Sequence, residues 1–128
     1  MPFRELSSVK NLRCDTFNDD PLRVARVAMR MRPTAELAEA GARLAALGHP
    51  VRAAILEAIS HEPLCVCELS ALLEMSSPAL MHHLRILGQA GVIGARKEGK
   101  FAVYRPVDQA ALGALRAAIG DRTSQEVA

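Results

Sequence analysis

The apolar positions along the chain change period several times, and the changes mark out its elements. Residues 1–20 mix polar and apolar side chains without a clear period and end in Asn18-Asp19-Asp20-Pro21, a helix-start signal. Residues 22–31 predict a short helix that Pro33 stops. Thr34 is the expected N-cap of a longer helix. Its stripe of Leu37, Leu44 and Leu47, interleaved with Ala40, Gly41 and Ala45, runs to Gly48. Pro50 suits a first helical turn, and Val51, Ile55, Leu56 and Ile59 carry a second body helix to about Ser60. Pro63-Leu64-Cys65-Val66 reads as extended or turn-like. Residues 68–74 read as a third, short helix with Leu69, Leu72 and Leu73 inward.

Met75-Ser76-Ser77-Pro78 is the sharpest junction, because a serine N-cap followed by proline at the first helical position starts a helix, which makes Ser77 the expected cap. That helix ends near Gly91. On a helical wheel Leu80, Leu84 and Leu87 share one side with His83 at the edge, and Pro78, His82, Arg85 and Gln89 take the other. The period then shortens. Residues 92–97 and 100–105 predict two strands, with Glu98-Gly99 as the turn. Asp108 is the expected cap of a last helix bearing Leu112, Leu115 and Ile119 on one face. The chain is therefore expected to divide into an extension over 1–33, a body over 34–120 and a polar tail that frays over 121–128.

Composition narrows the class. The 128 residues suit one domain, half of them are apolar, and only Phe3, Phe17, Phe101 and Tyr104 are aromatic. The core must be aliphatic, which favours helices packed through small residues. No apolar run approaches the ~18 residues of a membrane span. The start carries no apolar h-region, so neither a secretory leader nor a membrane partner is expected, and the cytoplasm is the expected compartment. Three cysteines close no disulfide framework and point to metal or redox chemistry.

Charge is segregated under a net +2. Residues 34–74 carry two Arg/Lys against six Asp/Glu, whereas residues 75–105 carry five against one. A basic stretch placed over the predicted helix and hairpin suggests a local anionic partner. Two helices on a short turn followed by a basic hairpin make a winged helix-turn-helix, mainly α with a small β-hairpin, whose second helix enters the major groove of DNA. His82 and Arg85 are on the outward side, with Gln89 further along and His83 beside them. Ser76 and Ser77 can offer hydroxyl and backbone N–H groups to phosphate. Arg96, Lys97 and Lys100 arm the wing for phosphates or the minor groove.

The succession Leu47-Gly48-His49-Pro50-Val51-Arg52, Leu64-Cys65-Val66-Cys67-Glu68-Leu69, Ser76-Ser77-Pro78 leading to His82-His83-Leu84, and Arg96-Lys97-Glu98-Gly99-Lys100 ending at Tyr104 resembles the ArsR/SmtB family of metal-sensing repressors. The resemblance covers about residues 35–119. It implies a homodimer built from the first and last body helices, bound to a pseudo-palindromic operator and released by an inducing metal ion. The stripes Leu37/Ala40/Gly41/Leu44 and Leu112/Leu115/Ile119 fit that dimer role, with intrachain core as the alternative.

The cysteines bear on what is sensed. Thiolates select soft or borderline ions: lead, cadmium, arsenite, zinc or copper(I). Residues two apart point to opposite faces of a strand and lie about 200° apart on a helix. Cys65 and Cys67 reach one ion only from a turn or the irregular start of a helix. Two buried apolar residues are the alternative reading. Ser70 stands where the arsenic-type members have a third thiolate. The stretch Cys14-Asp15-Thr16-Phe17-Asn18-Asp19 is similar to the extension of the CadC-like, cadmium/lead-sensing branch, which completes a site with the C-x-C of the partner subunit. That implies a site of Cys14, Cys65 and Cys67, with Asn18, Asp15 or Asp19 as oxygen donors. It departs from the branch at Asn18, where a second cysteine often stands. The last-helix zinc site of SmtB-like members is not expected: Asp108 matches its first position, but Ala110, Asp121 and Ser124 do not continue it.

Two other roles fit the same residues. A redox- or persulfide-sensing repressor would use the cysteines as reactive thiols, and a metal-buffering protein would have no DNA role, against which the basic wing argues. No Ser/His/Asp order, phosphate loop or paired acid site is present, so no enzymatic role is expected.

Overall fold

A computed structural model describes residues 20–120. Among these residues the order of elements is α1 (Pro21–Arg30), α2 (Thr34–Leu47), α3 (Pro50–His61), β1 (Leu64–Cys65), α4 (Val66–Leu73), α5 (Ser77–Gln89), β2 (Ile93–Glu98), β3 (Phe101–Pro106) and α6 (Gln109–Ile119). The chain divides after Pro33 into two compact units. No helix among the described residues is long and apolar enough to cross a membrane.

In the first unit, Asp20 caps α1 by accepting the N–H of Leu22 at 3.0 Å, and Arg23 and Arg26 approach its carboxylate at 3.9 Å. Leu22, Val24, Val27 and Met29 are exposed.

The second unit is held by an aliphatic core, as a chain so poor in aromatics requires. Ile55, Leu56 and Ile59 of α3 meet Leu69 of α4 and Leu80, Leu84 and Leu87 of α5. Val92, Ile93, Ala46 and the inner face of α6 (Ala111, Leu112, Leu115) close it. Each fully buried Leu or Ile contributes roughly 1.5–3 kcal/mol of burial free energy. The inward set Leu80, Leu84 and Leu87 recurs at three- and four-residue spacing, so the buried side of α5 follows from helical geometry.

Several boundaries depart from the sequence expectation. Thr34 is the first helical residue of α2, not the cap before it. The short third helix begins at Val66, two residues earlier than expected, because Cys65 serves as its N-cap. Ser76, not Ser77, caps α5. Its Oγ accepts the N–H of Ala79 at 3.4 Å while Pro78 falls in the first turn, where a missing N–H costs nothing. The hairpin turn is Gly99-Lys100, one residue later than expected. Gly99 has φ +61°, and a two-residue hairpin loop of type II′ puts a glycine at its first central position.

The sheet has the order β1-β3-β2, antiparallel throughout. β2 and β3 pair from Ile93 with Pro106 to Glu98 with Phe101. β1 adds two rungs, Leu64 with Tyr104 and Cys65 with Val103. This ladder ties the hairpin back to the start of α4.

Candidate functional site

The segment from α4 to α5 is a helix-turn-helix. Glu74 ends α4 in the left-handed region at φ 53°, and the N–H of Met75 returns to the carbonyl of Ser70 at 3.2 Å. The Ser70 hydroxyl donates to the Met75 carbonyl and ties the turn a second time. The residue standing at the arsenic-type third thiolate position therefore secures the joint between the two helices.

α5 presents Ser76, Ser77, His82, Arg85 and Gln89 at the surface, and Arg96, Lys97 and Lys100 are exposed on the hairpin. The N-terminus of α5 and the wing thus offer N–H groups and cations of the kind that hold phosphate. Arg105, across the hairpin, turns to Glu98 at 3.7 Å.

His83 is placed differently from its neighbours. It is half-buried and turns toward α3, where its Nδ1 lies 3.3 Å from Nη1 of Arg52 and its ring centroid 4.6 Å from that of His49. Burial, then the neighbouring His49, Arg52 and His82, hold its imidazole below the ordinary value. His49 caps α3 by accepting the N–H of Val51, and His61 pairs with Glu57 within α3. Sequence reading gave no role to His49 or Arg52. The proline after His49 is the local signal that residue 49 caps a helix.

Both body cysteines are free, Cys65 half-buried and Cys67 exposed. They stand at the cap and second position of α4. Both line an open groove of about 480 Å³ with Glu68, Glu98, Phe101 and Val103. Glu68 closes a capping box with Cys65 and accepts its backbone N–H at 3.0 Å. That bond, then the Cys65 side chain, holds the Glu68 carboxyl below the usual carboxylate range. The signal was available: Glu68 follows Cys65 by three residues, the capping-box spacing. Among the described residues no group of three or more His, Cys, Asp or Glu is placed to hold a metal ion. Cys14, Asp15, Asn18 and Asp19 lie outside the described residues.

The residues assigned to a dimer face divide. Leu37, Leu44 and Ile119 are exposed, whereas Leu112 and Leu115 lie in the chain's own core. Asp108 caps α6 through the N–H groups of Ala110 and Ala111 and meets Arg43 of α2 at 3.1 Å.

The pattern of the bacterial regulatory protein, arsR family, matches residues 49–94, from the cap of α3 into β2. An HTH-type transcriptional regulator of Methanocaldococcus jannaschii is 41% identical over 64 residues, 49% of this chain and 72% of that protein. The chain belongs to the ArsR family. It is accordingly a DNA-binding transcriptional regulator and not an enzyme. A cadmium resistance transcriptional regulatory protein CadC homolog of Staphylococcus aureus is 38% identical over 65 residues, 50% of this chain and 54% of that one. The reduced form of HlyU from Vibrio cholerae superposes with a TM-score of 0.60 at 31% identity, covering 62% of this chain and 84% of that one. The chain spans about half the length of several curated ArsR-family relatives it matches.

Proposed function

We propose that this regulator is a cytoplasmic repressor that binds operator DNA as a homodimer and leaves it when a soft metal ion takes its cysteine thiolates. The observation that carries the reading is the position of Cys65, which is at once the last residue of β1, opposite Val103 of the wing, and the cap of the helix-turn-helix. A change at that residue bears on the wing strand through the Val103 rung and on the first helix of the helix-turn-helix through its cap.

The donor set fits such an ion. Two thiols share one groove, and thiolate sulfur selects lead, cadmium, arsenite or zinc over hard cations. Cys65 and Cys67 would hold it, with Cys14 as the third sulfur and Asn18, Asp15 or Asp19 as oxygen donors. A bound ion supplies a polarizable centre that draws thiolates together. The similarity to a cadmium-resistance regulator supports the metal class. Residues 34–120 act as the DNA-binding and dimerisation domain, and residues 1–33 as the arm that carries Cys14. Leu37, Leu44 and Ile119 are the large exposed side chains of the proposed dimer faces, with Ala40 and Gly41 exposed beside them. By linkage, the ion must bind free protein more tightly than DNA-bound protein by the factor that it weakens DNA binding.

The test is a titration of the reduced protein with lead, cadmium and arsenite, followed by sulfur-to-metal absorption and by operator release. Wild type, Cys14→Ser and the Cys65→Ser/Cys67→Ser pair are compared. A signal and release lost in the pair, and weakened without Cys14, support the reading. Metal-induced release that survives in the pair overturns the assigned site.

A second reading has its own support. The exposed Cys67 thiol and the likeness to HlyU, solved in a reduced form, fit a thiol-redox switch on the same scaffold. Mass spectrometry after mild oxidant or polysulfide distinguishes it by a covalent adduct on Cys65 or Cys67.

A further inference from the structure

Arg52, His49 and His83 join three helices. Arg52 leaves α3, and its Nε donates to the carbonyl of Ala46 in the last turn of α2 at 2.6 Å. Its Nη1 meets Nδ1 of His83 on α5 at 3.3 Å. A guanidinium only donates, so Nδ1 of His83 accepts and the ring is the neutral tautomer with its proton on Nε2. His49 is bound in the same manner, its Nδ1 accepting the N–H of Val51 at 3.1 Å. The two rings are tilted by 41° at 4.6 Å. The His83 ring takes no proton on Nδ1 without giving up the lone pair that its hydrogen bond uses.

We propose that Arg52 is a positioning residue for the DNA-reading helix, fixing α5 on the α2–α3 pair through the unprotonated Nδ1 of His83, so that acid loosens the helix and weakens duplex binding. The inference rests on α5 being the helix that meets DNA.

The titratable and charged groups facing His83 are His49 and Arg52 from the α3 side and His82 on its own helix. All three are cationic when charged, and burial acts in the same direction, so the ring stays neutral around pH 7. A lowered imidazole value gives the sign. The Arg52–His83 hydrogen bond holds through the ordinary value of 6.5 and breaks as pH falls through the lowered one; the stability it adds is complete above 6.5 and is lost over that interval. His82, the other imidazole of α5, is exposed on the side offered to the duplex.

The test takes His82 out first, so that His83 is the imidazole left on α5. Operator affinity and thermal midpoint are measured at fixed ionic strength from roughly pH 7.5 down to the lowest pH at which the protein stays folded. The proteins are His82→Gln, His82→Gln with His83→Asn, and His82→Gln with Arg52→Met. Asparagine sets an amide oxygen where Nδ1 stands and does not titrate. In His82→Gln, affinity falls several-fold in acid and the thermal midpoint falls with it. Adding His83→Asn flattens both profiles while keeping affinity at neutral pH. Adding Arg52→Met flattens them at a lower affinity. An acid response that survives His83→Asn, or none in His82→Gln, overturns the proposal. If the wild type, measured beside them, also binds no duplex at any pH, the DNA reading of α5 fails, and the proposal fails with it. The thermal profiles then report separately whether His83 titrates against Arg52.

Discussion

The Glu68 carboxylate accepts the backbone N–H of Cys65 at 3.0 Å, and so closes the first turn of α4 around a cysteine sulfur. One carboxylate therefore stabilises the helix start and stands beside the thiol. Its carboxyl is held below the ordinary value of 4.5, chiefly by the Cys65 N–H. A lowered carboxylate contributes stability above its unfolded value and loses it as pH falls. The thermal midpoint of the wild type should decline as pH drops through 4.5 toward the lowered value. Glu68→Gln keeps the hydrogen bond, since glutamine also closes a capping box, and its profile should be flatter over that window. Parallel profiles for the two proteins would remove this role from Glu68.

Ser70→Ala should loosen the turn between α4 and α5. The Met75 carbonyl loses the hydroxyl that donates to it, and a hydrogen bond of this kind contributes about 1 kcal/mol. Urea denaturation should show a loss of that size. Operator affinity should fall with it, because the turn sets α5 relative to α4.

Asp108 and Arg43 should be unequal partners. Asp108 caps α6 by accepting two N–H groups and also meets Arg43 at 3.1 Å. Asp108→Ala should cost about 1 kcal/mol, as removal of a helix cap does. Arg43→Ala should cost less, because the Arg43 side chain is 43% exposed and such pairs contribute only about 0–1 kcal/mol. A double-mutant cycle read by chemical denaturation checks the order and the coupling.

Lys97→Ala and Lys100→Ala should leave the fold intact and weaken binding to all duplexes alike. Both residues are exposed on the hairpin. For every phosphate that a lysine no longer neutralises, the slope of log affinity against log salt should shrink by about 1. A change in sequence preference with an unchanged slope would assign these lysines to bases instead.

Much of this architecture was legible because its signals are local. Prolines 21, 50 and 78 fall in first helical turns, and the Leu80-Leu84-Leu87 stripe needs only helical geometry. The errors of one or two residues have local causes too. Gly99 had to take the first central position of its turn, and Cys65 proved able to cap a helix. What the sequence hid is non-local. The β1–β3 ladder joins residues about forty apart, Cys65 and Val103. His83 sits at the edge of its apolar stripe on a wheel, but its partner Arg52 is 31 residues away. The geometric argument put the thiol pair at a turn or at the irregular start of a helix, yet Glu98, Phe101 and Val103, which share its groove, come from the wing.

The two-rung strand β1 makes the hairpin a lever. Its base is pinned where the Val107 N–H meets the Val92 carbonyl at 3.1 Å, and Cys65 bears on it at Val103, four residues along. The tip begins at Phe101, six residues from the base. At about 3.3 Å per residue these arms are about 13 and about 20 Å long, so a displacement at Cys65 reaches the tip enlarged about one and a half times. An adjustment of that rung would therefore be felt most at the turn where Gly99 and Lys100 stand.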